Sequence, residues 1–450
     1  MYNRLMSLTL RKALRVKRIP TITFAGSGGK TSAMFQLARE LAADSAVVVS
    51  ASSHLGAWQT SMADRHIIAH TTDALQELDA IPSGITLVTG GFDNGRAAPL
   101  EPELLEWLHE FCTQHGLPLL IEADGSRQRP LKAWASHEPP IPPFVEQVIV
   151  VAGLSGMKRL LTAESVHRPE IFAALSGLDL GATITGEALV TVLTHTQGVQ
   201  KNIPAGARKV LLLNQADTPE LQAAASRMAA GLSGPFESVL VASLMNQTIH
   251  AVHEPVAGIV LAAGDSSRFG APKQLLQWKG QPFVRAVAHT AQSAGLAPVI
   301  VVTGQQAEAV QAAVADLPIH VTFNPNWSNG QGWSIAVGVR ELLQKHRASA
   351  AIFLLCDQPQ VNTSVLRALV EEHARSLPAV LAPMVMDRRA NPVLFDAVTF
   401  DDLADLTGDV GGRAIFHKHK VDYLPWHDDR LLLDVDTPEQ YQRLLEDDTL

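Results

Sequence analysis

Cysteine is scarce in this 450-residue chain: Cys112 and Cys356 are its two thiols, far apart in sequence and each in an apolar setting. That excludes a disulfide framework and any zinc-type cysteine spacing, and it suits a reducing compartment with two buried thiols. No apolar run is long enough for a membrane span or a secretory signal, so a soluble, cytoplasmic protein without a membrane partner is expected. Excess positive charge is also missing. The net charge is −9, which argues against general affinity for nucleic acid. Internal repeats and low-complexity segments are lacking, which excludes solenoids and disordered tracts.

What remains is 46% hydrophobic and 18% charged, the balance of a globular protein. The length calls for more than one domain. Strands alternate with helices in both halves, so the fold class is α/β in two domains, 1–250 and 251–450. Periodicity weakens over residues 244–256, which read as a short junction and not a flexible linker. The first twenty residues carry Arg4, Arg11, Lys12, Arg15, Lys17 and Arg18, and read as a basic surface helix.

In the first half, Thr21–Ala25 is a β-branched strand, and Ser32–Ala43 has helical spacing. Between them lies Gly26-Ser-Gly28-Gly29-Lys30-Thr31. Glycine amides and a helix N-terminus can meet a phosphate there, Lys30 adds charge, and the Thr31 hydroxyl can ligate Mg²⁺. The loop is shorter than the full Walker A pattern, which wants glycine where Phe24 stands. Its spacing resembles the short loop of Mur-type ligases.

Leu117–Ile121 is a strand ending in Glu122-Ala-Asp124-Gly-Ser126. These carboxylates could hold Mg²⁺ or orient water, or Asp124 could cap a turn. Arg127–Lys132, the rigid proline-rich His137–Pro143 and Val166–Glu170 add Arg and His clusters. Asn214-Gln-Ala-Asp217 follows another strand and resembles the guanine-reading element of GTPases, with Gln215 in place of its lysine.

The second half opens with a strand, Ile259–Leu261, that runs into a loop holding Gly264, Arg268, Gly270 and Lys273. Glycine lets amides approach phosphate, and the two cations neutralise it. The same residues would also serve a plain strand–turn–helix connection. Helices are expected over 282–293, 306–315 and 335–345, and strands over 298–303, 319–323, 351–356 and 380–386. The last of these is placed at a sheet edge because of Pro383, and the sheet is expected to be parallel. Asp357, directly after an apolar strand, is a natural Mg²⁺ ligand. Asn324–Ser334 leads into a helix and could meet phosphate or base. Thr437 could simply cap the last helix.

Two resemblances cover most of the chain. The motifs G-S-G-G-K-T, E-A-D-G-S-R-x-R-P-L-K, H-E-P-x-I-P-P, V-H-R-P-E and L-L-L-N-x-A-D, over roughly residues 5–245, are similar to the YqeC family. That family is linked to maturation of selenium-dependent molybdenum hydroxylases. The resemblance implies a P-loop-like accessory domain and an apo-hydroxylase partner. The pattern L-A-A-G-x-S-x-R-x-G-x-x-K, with D-Q-P, R-x-N-P-V, G-D-x-G-x-R and the acidic residues before Thr437-Pro438, resembles the MobA/MocA-like nucleotidyltransferases over roughly 256–447. Its Ala-Ala-Gly form looks like the cytidylyltransferase branch.

This second resemblance implies a Rossmann-like domain that transfers CMP from CTP to molybdopterin with Mg²⁺. Leu261, Ala262, Ala263, Gly264 and Ser334 then line the nucleotide site, and Arg268 and Lys273 bind its phosphates. Asp357 and Asp436 hold the metal, with Asp434 a possible substitute. Asn391, Asp409 and Arg413 contact the pterin substrate. A guanylyl or sugar-phosphate transferase, and a non-catalytic cofactor carrier, stay open as alternatives.

Overall fold

The computed structural model describes residues 8–16, 19–75, 83–265 and 269–447. Arg4, Lys17, Arg18 and Arg268 lie outside these residues. The chain divides into two compact units, Met1–His253 and Glu254–Leu450.

The first unit is built on nine strands: Thr21–Gly26 (β1), Val47–Ala51 (β2), Arg65–Ile68 (β3), Ile85–Thr89 (β4), Leu119–Glu122 (β5), Gln147–Gly153 (β6), Arg208–Asn214 (β7), Ser238–Ser243 (β8) and Thr248–His253 (β9). Their order in the sheet is β9-β8-β7-β6-β1-β5-β2-β4-β3. Every pairing is parallel except β8 with β9. The central strands are mostly apolar and buried along their whole length, as a sheet covered on both faces requires. β9 occupies the stretch expected to be a junction. Its residues alternate half-buried and buried, the pattern of an edge strand.

Among the described residues, the basic N-terminal segment forms one turn, Leu10–Ala13 (α1). It is not a free surface helix. Leu10 and Ala13 are buried, and the Leu10 and Arg11 amides donate to Glu40 at 3.1 and 2.6 Å. Glu40 belongs to Lys30–Ala42 (α2), the helix that follows the glycine loop. Pro102–His115 (α3), Pro169–Ser176 (α4), Gly186–Thr194 (α5) and Pro219–Leu232 (α6) complete the unit.

The second unit contains Val256–Ala262 (β10), Val299–Thr303 (β11), His320–Phe323 (β12), Ala350–Leu355 (β13), Val380–Val385 (β14), Arg388–Arg389 (β15), Val393–Asp396 (β16) and Val421–Pro425 (β17). The order is β12-β11-β10-β13-β16-β14-β15, with β17 beside β14. The expected all-parallel sheet is in fact mixed. β10 to β13 pair in parallel, while β16 runs antiparallel to both β13 and β14. The expected edge strand β14 is not an edge, because β17 covers it in parallel register from Val380 to Met384. Pro383 is tolerated there because its carbonyl still accepts from the Ala390 amide.

Phe283–Ser293 (α7), Thr363–Ser376 (α10) and Pro438–Asp447 (α12) cover one face of this sheet. Gln331–Lys345 (α9) and Phe400–Ala404 (α11) cover the other, and Ala307–Ala313 (α8) follows β11. Alternation along β10 feeds both cores: Val260 and Ala262 face one side, Ala257 and Ile259 the other. Phe283 and Phe400 are fully or nearly fully buried, each contributing roughly 1.5–3 kcal/mol. α9 begins at Gln331, earlier than its apolar spacing implied, so Ser334 lies inside its first turn.

Candidate functional site

In the first unit the glycine loop leaves β1 between β5 and β6, at the carboxyl ends of three parallel strands. Its shape needs glycine. Gly26, Gly28 and Gly29 have φ of 102°, 79° and 125°. A Cβ on Gly26 would lie 2.2 Å from the Val151 carbonyl oxygen, and one on Gly29 2.4 Å from Asn214 Nδ2.

Lys30 is buried and turned back into the loop. Its Nζ donates to the Gly26 carbonyl at 2.8 Å and lies 3.5 Å from Asp124 Oδ1 and 3.8 Å from Glu122 Oε1. Thr31 Oγ1 donates to Glu122 Oε2 at 2.6 Å and accepts from Gln59 Nε2 at 2.7 Å. Burial pushes the Glu122 carboxyl above its ordinary value, against the pull of Lys30 and Thr31.

The two acidic residues after β5 therefore divide their work. Glu122 lines a cavity of about 540 Å³ together with Gly28–Thr31. Asp124 does not line it. Its Oδ1 accepts from the Gly26 amide at 2.9 Å, and its Oδ2 accepts from Trp134 Nε1 at 2.9 Å. Asp124 also starts a chain of charges. Lys132 Nζ lies 2.9 Å from Asp124 and 3.2 Å from Glu138, and Glu138 pairs in turn with Arg168. One ion-pair chain thus ties three separate sequence motifs to the glycine loop. Asn214 acts as a clasp: its Nδ2 donates to the Gly28 carbonyl at 2.8 Å, and its Oδ1 accepts from the Leu244 amide. Asp217, the candidate base reader, is exposed.

In the second unit, register decides what meets. Leu261 of β10 pairs with Leu355 of β13, so the loop after Ala262 and Asp357 leave adjacent strands at the same end. Ala262 and Ala263 are buried, Leu261 is half-buried and Gly264 is exposed. Gln274 Nε2 donates to the Gly264 carbonyl at 2.6 Å and folds the loop over.

That fold carries Lys273 to two carboxylates. Its Nζ donates to Asp357 Oδ2 at 3.2 Å and to Asp436 Oδ1 at 2.7 Å. Burial opposes the Lys273 charge, but the two carboxylates outweigh it and hold its pKa above the ordinary value. Burial likewise pushes the Asp357 carboxyl up, and Lys273 pulls against it. Asp434 accepts from Gln358 Nε2 at 2.6 Å, and burial and the Asp357 charge push its carboxyl above the ordinary value.

Asp436 is held by the start of α12. Gln440 Oε1 accepts from the Asp436 and Thr437 amides at 2.8 and 2.9 Å, and the Gln440 amide donates to Thr437 Oγ1. This reciprocal cap aims the carboxylate. Among the described residues no three His, Cys, Asp or Glu side chains cluster as a metal site. A pair of hard oxygen donors fits Mg²⁺ nonetheless, since that ion takes one or two carboxylates and completes its shell with water and phosphate.

Ser334 is buried, and its Oγ accepts from Asn324 Nδ2 at 2.9 Å, so it braces the loop before α9. That loop meets the segment carrying Asp409 and Arg413. The Gly332 amide donates to the Gly408 carbonyl, and a Cβ on Gly330 would come within 2.4 Å of the same oxygen. Asp409 and Arg413 are exposed, and Asn391 is half-buried before β16.

The YqeC protein family matches residues 22–170, and the MobA-like NTP transferase domain matches residues 258–423. YqeC of Escherichia coli K12, itself an uncharacterised protein, is 34% identical over 206 residues, covering 44% of this chain and 77% of that protein. Nicotine blue oxidoreductase of Paenarthrobacter nicotinovorans is 32% identical over 201 residues, covering 42% of this chain and 96% of that protein. The chain belongs to both families, YqeC first and MobA-like NTP transferase second. A probable molybdenum cofactor guanylyltransferase of Bacillus mycoides is 30% identical to the transferase half over 138 residues, covering 31% of this chain and 66% of that protein.

Several contributors to these two domains escaped the sequence reading. Gln59 of the YqeC domain reaches Thr31 from a loop with no motif of its own. Gln358 and Gln440 of the transferase domain hold Asp434 and Asp436. Gln358 stood in the D-Q-P motif without an assigned role, and Gln440 had the Thr437-x-x-Gln440 spacing of a capping box. The two thiols are buried, and burial pushes the Cys112 pKa up to about 12, so neither serves as a nucleophile.

Proposed function

We propose that the transferase domain moves CMP from CTP to the terminal phosphate of molybdopterin and releases pyrophosphate. One observation carries this: Lys273 lies between Asp357 and Asp436 at the carboxyl end of β10 and β13. The Ala262-Ala263-Gly264 form of the loop supports CTP, and the similarity to a molybdenum cofactor guanylyltransferase supports the pterin acceptor.

The acceptor is already an anion, so no general base is needed. Its phosphate oxygen forms a bond to the α-phosphorus of CTP as the bond to the bridging oxygen breaks. Catalysis then rests on alignment and charge compensation. Asp357 and Asp436 would hold Mg²⁺, which supplies compensation for charge on the α-phosphate when bound. Lys273 neutralises charge developing on that phosphate, and Arg268 binds the departing pyrophosphate. Backbone from Leu261 to Gly264, together with Ser334, receives the base and ribose. Asn391, Asp409 and Arg413 receive the pterin substrate.

The YqeC domain, in this reading, binds a nucleoside triphosphate on Gly26–Thr31, with Thr31 and Glu122 on its Mg²⁺. It serves an apo-hydroxylase that receives the finished cofactor. No helix among the described residues is long and apolar enough to cross a membrane.

The test is pyrophosphate release with molybdopterin and each of the four triphosphates. Turnover with CTP alone supports the proposal, and turnover with GTP moves the domain to guanylyl transfer. No release with any triphosphate, together with capture of a hydroxylase, leaves a carrier.

A further inference from the structure

The cavity over the YqeC glycine loop has a second wall, formed by Arg96, Arg127, Arg129, His167 and Arg168. A triphosphate on Gly28–Thr31 accounts for the first wall and not for this one. The carboxylates lining the cavity do not neutralise it. Glu122 is engaged by Thr31 and Lys30, and Glu138 by Lys132 and Arg168. Among the described residues Arg127 and Arg129 have no acidic partner.

The backbone is bent to build this wall. Arg127, Gln128, Arg168 and Gln215 all line the cavity with φ between 49° and 67°. They are four of twelve non-glycine residues with positive φ among the described residues. Such conformations cost of order 1–3 kcal/mol each and gather where function over-determines them. His167 reports the local field: burial, then Arg168, Lys132 and Arg127, push its pKa down to about 4. The ring is therefore neutral at pH 7 and can donate or accept a hydrogen bond beside the guanidinium groups.

We propose that Arg127 and Arg129, flanked by Arg96 and by the Glu138-paired Arg168, seat an oxyanion group of a second small molecule while a nucleotide occupies the glycine loop. This rests on the reading of that loop as the nucleotide seat. Planar guanidinium groups bind phosphate or carboxylate through paired N–H donors, which surface lysines do not reproduce. The cavity of about 540 Å³ is shared by the glycine loop and the arginines, so the second molecule sits directly beside the nucleotide.

The full chain, saturated with Mg²⁺ and a non-hydrolysable triphosphate analogue, is titrated calorimetrically with inorganic phosphate and separately with malonate. Uptake is expected, and Arg127→Ala/Arg129→Ala should weaken it by about tenfold or more while nucleotide affinity stays within about twofold. Stronger phosphate binding marks a phosphate-bearing ligand, and stronger malonate binding a carboxylate-bearing one. An unchanged melting temperature of the double variant excludes misfolding, and Arg127→Lys/Arg129→Lys should recover part of the affinity. The proposal is overturned if anion uptake is absent, is unaltered in the double variant, or competes one-for-one with nucleotide. Failure of the loop reading looks different, because nucleotide affinity would then be unaffected by Lys30→Ala. In that case anion uptake lost in the arginine variant marks a lone anion site, and the proposal of a second seat beside a nucleotide is overturned.

Discussion

Replacing Lys273 by alanine tests the transferase site most directly. The ammonium lies 3.2 Å from Asp357 and 2.7 Å from Asp436. Coulomb attraction near such distances is about 4 kcal/mol per pair at an effective dielectric of 20. The three side chains are 18%, 26% and 43% exposed, however, so solvent discounts that figure. Measured exposed pairs contribute about 0.2–1 kcal/mol each, which puts the folding loss from the two at about 0.4–2 kcal/mol. A domain stable by about 5–15 kcal/mol stays folded after such a loss.

Chemistry should suffer more. Removing one preorganised charge-stabilising group typically costs about 10²–10³ in kcat, or about 2.7–4 kcal/mol. Pyrophosphate release by Lys273→Ala should therefore fall by about that factor, with the melting temperature lowered by only a few degrees. The variant should also bind Mn²⁺ more tightly without nucleotide, since the ammonium no longer competes for the two carboxylates. Turnover within about threefold of wild type would refute the assignment. So would weaker Mn²⁺ binding, which would mean that Lys273 organises the acidic pair and does not compete for it.

Three further outcomes are expected. Gly26→Ala should destabilise the YqeC domain by about 2 kcal/mol or more in chemical denaturation, because its φ of 102° and the Val151 carbonyl leave no room for a methyl group. Asp396→Ala should lower stability of the transferase domain by about 1–3 kcal/mol, since it strands the buried His373 Nε2 now 2.7 Å from Asp396 Oδ2; an unchanged denaturation midpoint would contradict that. Glu138 is half-buried, and burial opposes its charge, but Arg168 and Lys132 hold its pKa below the ordinary 4.5. Its contribution is thus present above pH 4.5 and lost as pH falls through the folded value, so the melting-temperature gap between wild type and Glu138→Gln should close on acidification.

The sequence made some of this architecture plain and hid the rest for physical reasons. Strands such as β6, β10 and β13 are apolar runs and β1 is β-branched, and the glycine loops punctuate them, so both domains and Asp357 could be located by pattern. Mixed pairing could not, because β14 and β16 look alike whichever way they run. The Lys273–Asp436 contact spans 163 positions and depends on how α12 returns to β13, which no local spacing encodes. Asp124, at the end of a strand, suited a metal ligand or a turn cap on the residues alone. Its real partners, the Gly26 amide, Trp134 and Lys132, are set by a loop whose path the residues alone do not reveal.

The run Asp124–Lys132–Glu138–Arg168 has a bearing on how this domain can be altered. Each interior member answers two neighbours of opposite sign, and both Asp124 and Lys132 are almost wholly sealed from water. Exchanging one of them in isolation leaves an orphaned ion next to the turn that Asp124 fastens. Grafts and chimaeras of this half would have to transplant all four together, as a single inherited block.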